Sequence, residues 1–210
     1  ILEKKNKYDL SELNNINKMT FESMRNIYFD ERNKHVSYSK DKIVIDKLPL
    51  NIIHAAEISY FFPSAKFILA LRNPYDVVLS CFMQQFGPNR ATINFTSIEE
   101  TAKLYDLVMN LWFIYIDKFN LEIHQIKYEN VVKNFELTIK NLLNFLDLEW
   151  SEKLLNFNKT ALKRGIINTP SSSQVNQPLY NKSIDRWKNY ENQFNKVKII
   201  LDKWVLKFNY

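Results

Sequence analysis

Lys66–Ser80 reads KFILALRNPYDVVLS, an apolar run that passes through Arg-Asn-Pro into a helical pattern. Phe67–Leu71 is continuously apolar, as expected of a central parallel strand covered on both faces. Arg72 then stands at the carboxyl end of that strand, where open α/β sheets bind their ligands. Pro74 suits the first helical position, and Asp76 in the first turn complements the helix dipole. Ser80, two turns from the helix start, is expected to face inward and add a neutral hydroxyl donor to the charged fork of Arg72. The stretch is therefore a candidate phosphate-holding turn. A plain βα turn with a surface Arg and a helix Ser has the same local pattern, so the decision falls to other segments.

Outward from this stretch the chain alternates strand and helix patterns. Leu13, Ile16, Met24 and Ile27 predict an amphipathic helix from Ser11 to about Phe29, and Ile43–Ile45 is a short strand candidate. Ile52–Phe62 reads as a helix ending before Pro63. Ser97-Ile98-Glu99-Glu100 is a capping-box pattern, with Ala102, Tyr105, Met109, Trp112 and Ile116 as one stripe behind it. Leu121–Ile126 is a third strand candidate, followed by a helix carrying Phe135, Ile139, Leu142 and Leu146 on one face. Residues 158–188, rich in Asn, Ser, Thr and Pro, are expected to be mostly irregular. A last helix turns Phe194, Val197, Leu201, Trp204 and Phe208 inward. The alternation predicts an α/β fold, a mainly parallel sheet flanked by helices, in one domain over 1–210.

Composition narrows the function classes. A net charge of +6 suits a polyanionic ligand, although the lysines are spread along the chain as solvated faces would be. The single cysteine, Cys81, excludes an intrachain disulfide and fits a reducing, cytoplasmic setting. No apolar run approaches the roughly 18 to 20 residues of a membrane span, and the charged first residues lack a signal-peptide core. His35, His54 and His124 are isolated, so no metal is expected. Gly87 and Gly165 are the only glycines, and neither lies in a Gly-rich phosphate loop.

Arg72 and Ser80, eight residues apart, resemble the 3′-phosphate-binding motif of sulfotransferases that use 3′-phosphoadenosine 5′-phosphosulfate (PAPS). Three further segments resemble that family in its own order. Asp46-Lys47-Leu48-Pro49-Leu50-Asn51 is similar to the Asp-Lys-x-Pro-x-Asn segment of bacterial sulfotransferases, often fused to tetratricopeptide repeats, and of tyrosylprotein sulfotransferases. The resemblance implies that Lys47 contacts the transferring sulfuryl group. Tyr128-Glu129-Asn130 resembles the family's Tyr-Glu-Asp, which implies that Tyr128 lies against the adenine, with Asn130 in place of the usual Asp. Thr169–Val175, Gln177-Pro178 and Ser183–Trp187 resemble the family's C-terminal run. That similarity implies a hydrogen bond from Ser171 near the sulfuryl group or 5′-phosphate, and a second phosphate-binding cation in Arg186.

The resemblance implies a P-loop-containing nucleotide hydrolase-like fold, PAPS as co-substrate and a hydroxyl acceptor: a protein tyrosine, a sugar or a small alcohol. It implies no nucleic-acid or membrane partner. The family's opening strand, its Pro-Arg-Ser-Gly-Thr loop and the Glu that serves as general base have no counterpart here. The expectation is an N-terminally truncated fragment, inactive alone, with tetratricopeptide repeats as a possible upstream fusion and the base assigned to no residue. Two other readings stay open on the residues alone: another phosphate-loop phosphotransferase, and a non-catalytic basic module for interaction or nucleic-acid binding.

Overall fold

The computed structural model describes residues 18–36, 39, 42–84, 86, 87, 89, 91–159 and 179–210, with backbone alone for 18–20. They fall into two compact units, one drawn from Ile1–Ala65 with Tyr115–Leu121, the other from Lys66–Ile114 with Glu122–Tyr210.

In the first unit, helix α1 (Lys18–His35) runs past Phe29 and ends with Arg32, Lys34 and His35 in its last turn, where cations complement the dipole. The part of the expected helix before residue 18 lies outside the described residues. A 3₁₀ turn (Asn51–His54) leads into α2 (Ala55–Phe61), which stops before Pro63 as the sequence indicates. The two helices are joined by aromatic contacts: Phe21 stacks on Tyr60 at 6.2 Å and meets Phe61 edge-on at 5.6 Å. Arg25 Nη1 donates to the Phe61 carbonyl at 3.1 Å, supplying a partner at the end of α2 that the helix itself lacks. The strand candidate Ile43–Ile45 is not a strand. It lies in an irregular segment with Ile45 75% exposed, since an apolar triplet becomes a strand only with a ladder partner and none pairs with it among the described residues.

The second unit contains a parallel pair, β1 (Lys66–Leu71) and β2 (Glu122–Lys127), in register from Lys66 opposite Glu122 to Leu71 opposite Lys127. Between them run α3 (Pro74–Met83) and α4 (Ile98–Lys118), the latter ending within the first unit. Asn73 caps α3 by accepting from Tyr75 N at 3.0 Å, with Pro74 at the first helical position. Ser97 caps α4 by accepting from Glu100 N at 3.1 Å. After β2 come α5 (Tyr128–Lys133), α6 (Phe135–Phe145) and, near the end, α7 (Glu191–Phe194) and α8 (Lys198–Lys207). Tyr75, Val78 and Leu79 of α3, Ile98 and Ala102 of α4, and Phe194, Val197 and Leu201 form one buried cluster. The burial of the closing apolar series was legible, since Phe194, Val197, Leu201, Trp204 and Phe208 are all buried, but the single helix expected to carry them is broken by a 3₁₀ turn (Asn195–Val197) between α7 and α8.

One expectation about β1 is corrected. Leu69 and Leu71 are buried, but Ile68 is 39% exposed and Ala70 is exposed as well. Only two strands pair among the described residues, so the apolar run is covered on one face rather than two.

Candidate functional site

The parallel register places Arg72 and Tyr128 side by side, since each directly follows the last paired residue of its strand. The Arg72 guanidinium stands 5.4 Å from the centre of the Tyr128 ring, within cation–π range. Its Nη2 donates to the Ser183 carbonyl at 2.5 Å, while its Nε is buried without a partner among the described residues. The Tyr128 hydroxyl donates to the Tyr180 carbonyl at 3.0 Å. Glu129, 7% exposed, accepts from Asn73 N through Oε1 at 2.9 Å and so ties the end of β2 to the turn that carries Arg72.

A strap formed by residues 179–187 lies over this corner. Ser183 bonds Arg72 as above, and beyond it Asp185 N and Trp187 N donate to the two oxygens of Asp76, at 2.8 Å and 2.9 Å. Asp185 has φ 58°, in the left-handed region that Asp tolerates better than most side chains. The Trp187 ring stacks on Tyr75 at 4.2 Å with 21° between planes, and Phe194 meets it edge-on. Asp76 is 0% exposed. Burial raises its carboxyl above the usual carboxylate range, opposed by the two N–H donors and the positive charge of Arg72. The dipole reading of Asp76 was thus incomplete, because both its oxygens are engaged by a segment more than a hundred residues away in sequence.

Ser80 is exposed, contrary to the inward orientation expected of it. The inward face of α3 is filled by Tyr75, Val78 and Leu79, and Ser80 lies one turn beyond Asp76, off that face. Its neighbour Cys81 is partly buried; burial raises its thiol pKa and the charge of Arg72 opposes the rise. Arg186, at the centre of the Asp185–Trp187 turn, is exposed and makes no hydrogen bond or ion pair among the described residues.

Lys47 belongs to the first unit. It is exposed and lines an open groove with Tyr28, Arg32, Val36 and Ile43. Its loop is closed on itself: Asp46 accepts from Tyr28 Oη at 3.0 Å and from Asn51 Nδ2 at 3.4 Å, and Asn51 N donates to the Leu48 carbonyl at 3.0 Å. The first and last residues of the Asp-Lys-x-Pro-x-Asn segment are therefore its own fastening. Ser171 lies outside the described residues. Among the described residues no three His, Cys, Asp or Glu side chains gather to hold a metal ion.

A family model described as "Sulfotransferase family" matches residues 3–152. The chain belongs to the sulfotransferase family. An uncharacterized protein of Aquifex aeolicus (strain VF5) is 30% identical over 168 residues, covering 78% of this chain and 21% of the relative. The chain thus spans about a fifth of the length of that relative. Among solved structures, the Sulfotransferase Domain from the Curacin Biosynthetic Pathway is similar, with a TM-score of 0.49 and 16% identity over 86% of this chain and 76% of that one.

Of the sequence-based candidates in this sulfotransferase-family chain, Arg72, Tyr128 and the backbone flanking Arg186 come together at the strand ends of the second unit. Sequence reasoning missed the work of Asp76 and Glu129. The local signal for Asp76 was already used up by its helix-start position, and Glu129 was carried along as the middle of a motif.

Proposed function

We propose that this chain acts in sulfuryl transfer from PAPS to a hydroxyl acceptor, with its nucleotide held at the strand-end corner of the second unit. The observation that carries the reading is the buried Nε of Arg72, without a partner among the described residues, beside an aromatic face and just before an N-capped helix. A charged donor without an acceptor in a buried position is costly, and an anion removes that cost. The chemistry of the corner fits a phosphate: Arg72 supplies a fork whose Nε is unpaired among the described residues, Arg186 a second cation with no protein partner among them, and the exposed Ser80 would add a hydroxyl from the adjoining helix. Tyr128 would offer a stacking face for the base.

Bound PAPS would supply the sulfuryl group and the leaving phosphate oxygen. The chain's own task would be to orient the nucleotide and stabilise charge, with Lys47 and Ser171 as donors toward the transferring group. The general base is assigned to no residue.

Calorimetric titration of the full-length protein with adenosine 3′,5′-bisphosphate tests the reading. Arg72→Ala should raise the Kd by roughly tenfold or more, the loss of one charged hydrogen bond. Identical affinities for the two proteins, or no binding by either, would overturn it.

A further inference from the structure

Asp76 makes an arrangement that core packing alone does not call for. A carboxylate at 0% exposure is held by two backbone N–H groups, and those two groups belong to the residues on either side of Arg186. Arg186 is thereby fixed at the apex of a turn whose two shoulders are tied to one side chain. The left-handed backbone of Asp185 is what lets the two N–H vectors converge. At the other end of the same strap, Arg72 holds the Ser183 carbonyl, and Arg72 and Asp76 attract one another. An apolar residue at position 76 would fill the space without the cost of burying a charge, but it could not hold two converging donors.

We infer that Asp76 is a positioning residue: it sets the Asp185–Trp187 turn and so places Arg186 where the phosphates of the nucleotide bind. This rests on the nucleotide reading above. Asp76 itself touches no ligand in this account. Its effect passes through the strap, so most of it is lost when Arg186 has no side chain to place.

The experiment is a double-mutant cycle on the dissociation constant of adenosine 3′,5′-bisphosphate, paired with a measurement that needs no ligand. Asp76→Asn keeps one acceptor oxygen and turns an N–H₂ toward the second strap N–H, so only one shoulder stays tied. It should weaken binding by about tenfold. In the Arg186→Ala background the same change should cost less than about twofold. A residue that merely supports the fold would add its full effect in both backgrounds, because it would disturb Arg72 and Tyr128 equally. Without ligand, amide hydrogen exchange at Asp185 and Trp187 should quicken in Asp76→Asn while the amides of the β1–β2 ladder keep their protection. Should the Asn protein fail to fold, Asp76→Glu retains the carboxylate one methylene further out and should show the same coupling at a smaller size. Additive losses in the cycle, or unchanged exchange at both amides, overturn the inference while leaving the nucleotide site standing if Arg72→Ala still weakens binding. Absence of bisphosphate binding by the unmodified protein overturns the site itself and the inference with it.

Discussion

Lys47 stands in a loop that is fastened by its neighbours. Its own side chain is exposed, while Asp46 and Asn51 on either side are occupied in closing the loop and Tyr28 anchors that closure from α1. The loop is thus held by groups other than the lysine, which leaves the ammonium available. If Lys47 meets the sulfuryl group, its attraction should be greatest in the transition state, where charge develops on the oxygens being exchanged. The product nucleotide has no sulfuryl group. In the full-length protein, Lys47→Ala is therefore expected to lower kcat by about a hundredfold while changing the Kd of adenosine 3′,5′-bisphosphate by less than about threefold. Steady-state turnover with PAPS and calorimetry on the same preparations would give the two quantities. Equal losses would make Lys47 a phosphate anchor instead. If Arg72 holds the nucleotide as proposed, it should behave in the opposite way, with its largest effect on nucleotide binding, because such contacts would be made as fully with product as with donor.

At the scale of elements, the strap depends on a turn that most residues would resist. Asp185 at φ 58° is tolerable for Asp and unstrained for Gly, whereas a β-branched side chain there is driven against its own backbone. The ion pair of Asp185 with Lys188 at 2.9 Å is solvent-exposed and contributes little. Asp185→Gly should therefore leave the thermal midpoint within about a degree or two, and Asp185→Val should lower stability by about 1 to 2 kcal/mol. Melting curves of the three proteins decide this, and a Val variant as stable as the Gly variant would refute the strain argument. The same strap marks the limit of what the chain discloses one segment at a time. The β1–α3 junction could be read because its causes are local, an apolar run and a Pro at the first helical position, to which the structure adds the Asn73 cap. The strap's hold on α3 joins Asp76 to Asp185 and Trp187, and no spacing rule connects residues so distant. The two failures at Ile43–Ile45 and on the outer face of β1 share another cause. Apolar content identifies residues able to be covered, but coverage is supplied by partners that a local pattern does not contain.

Taken as a whole, the second unit buries phenols in positions that resist ionisation, and this gives its stability a definite dependence on pH. Tyr75 is 3% exposed, stacks with Trp187 and donates to Asp202 Oδ1 at 2.5 Å. Burial, then that hydrogen bond and the charge of Asp202, raise its pKa far above the ordinary value of 10.0. Burial does the same for Tyr105, and for Tyr210 with the charge of Glu129 adding to it. Each folded pKa lies above its unfolded value. The stability these groups contribute is therefore fully present below about pH 10 and is lost progressively as the pH climbs toward the folded values, because the unfolded chain releases protons that the folded one retains. Tyr75, stacked under the strap's own Trp187, links this loss to the strap. In alkaline titration Tyr75, Tyr105 and Tyr210 should consequently ionise abruptly, together with the loss of far-ultraviolet circular dichroism. Tyr75→Phe removes one of these groups, and the alkaline transition of that variant should be correspondingly less steep. Smooth ionisation of every tyrosine near pH 10 with the circular dichroism unchanged would show that these phenols are not shielded as the packing of the second unit requires.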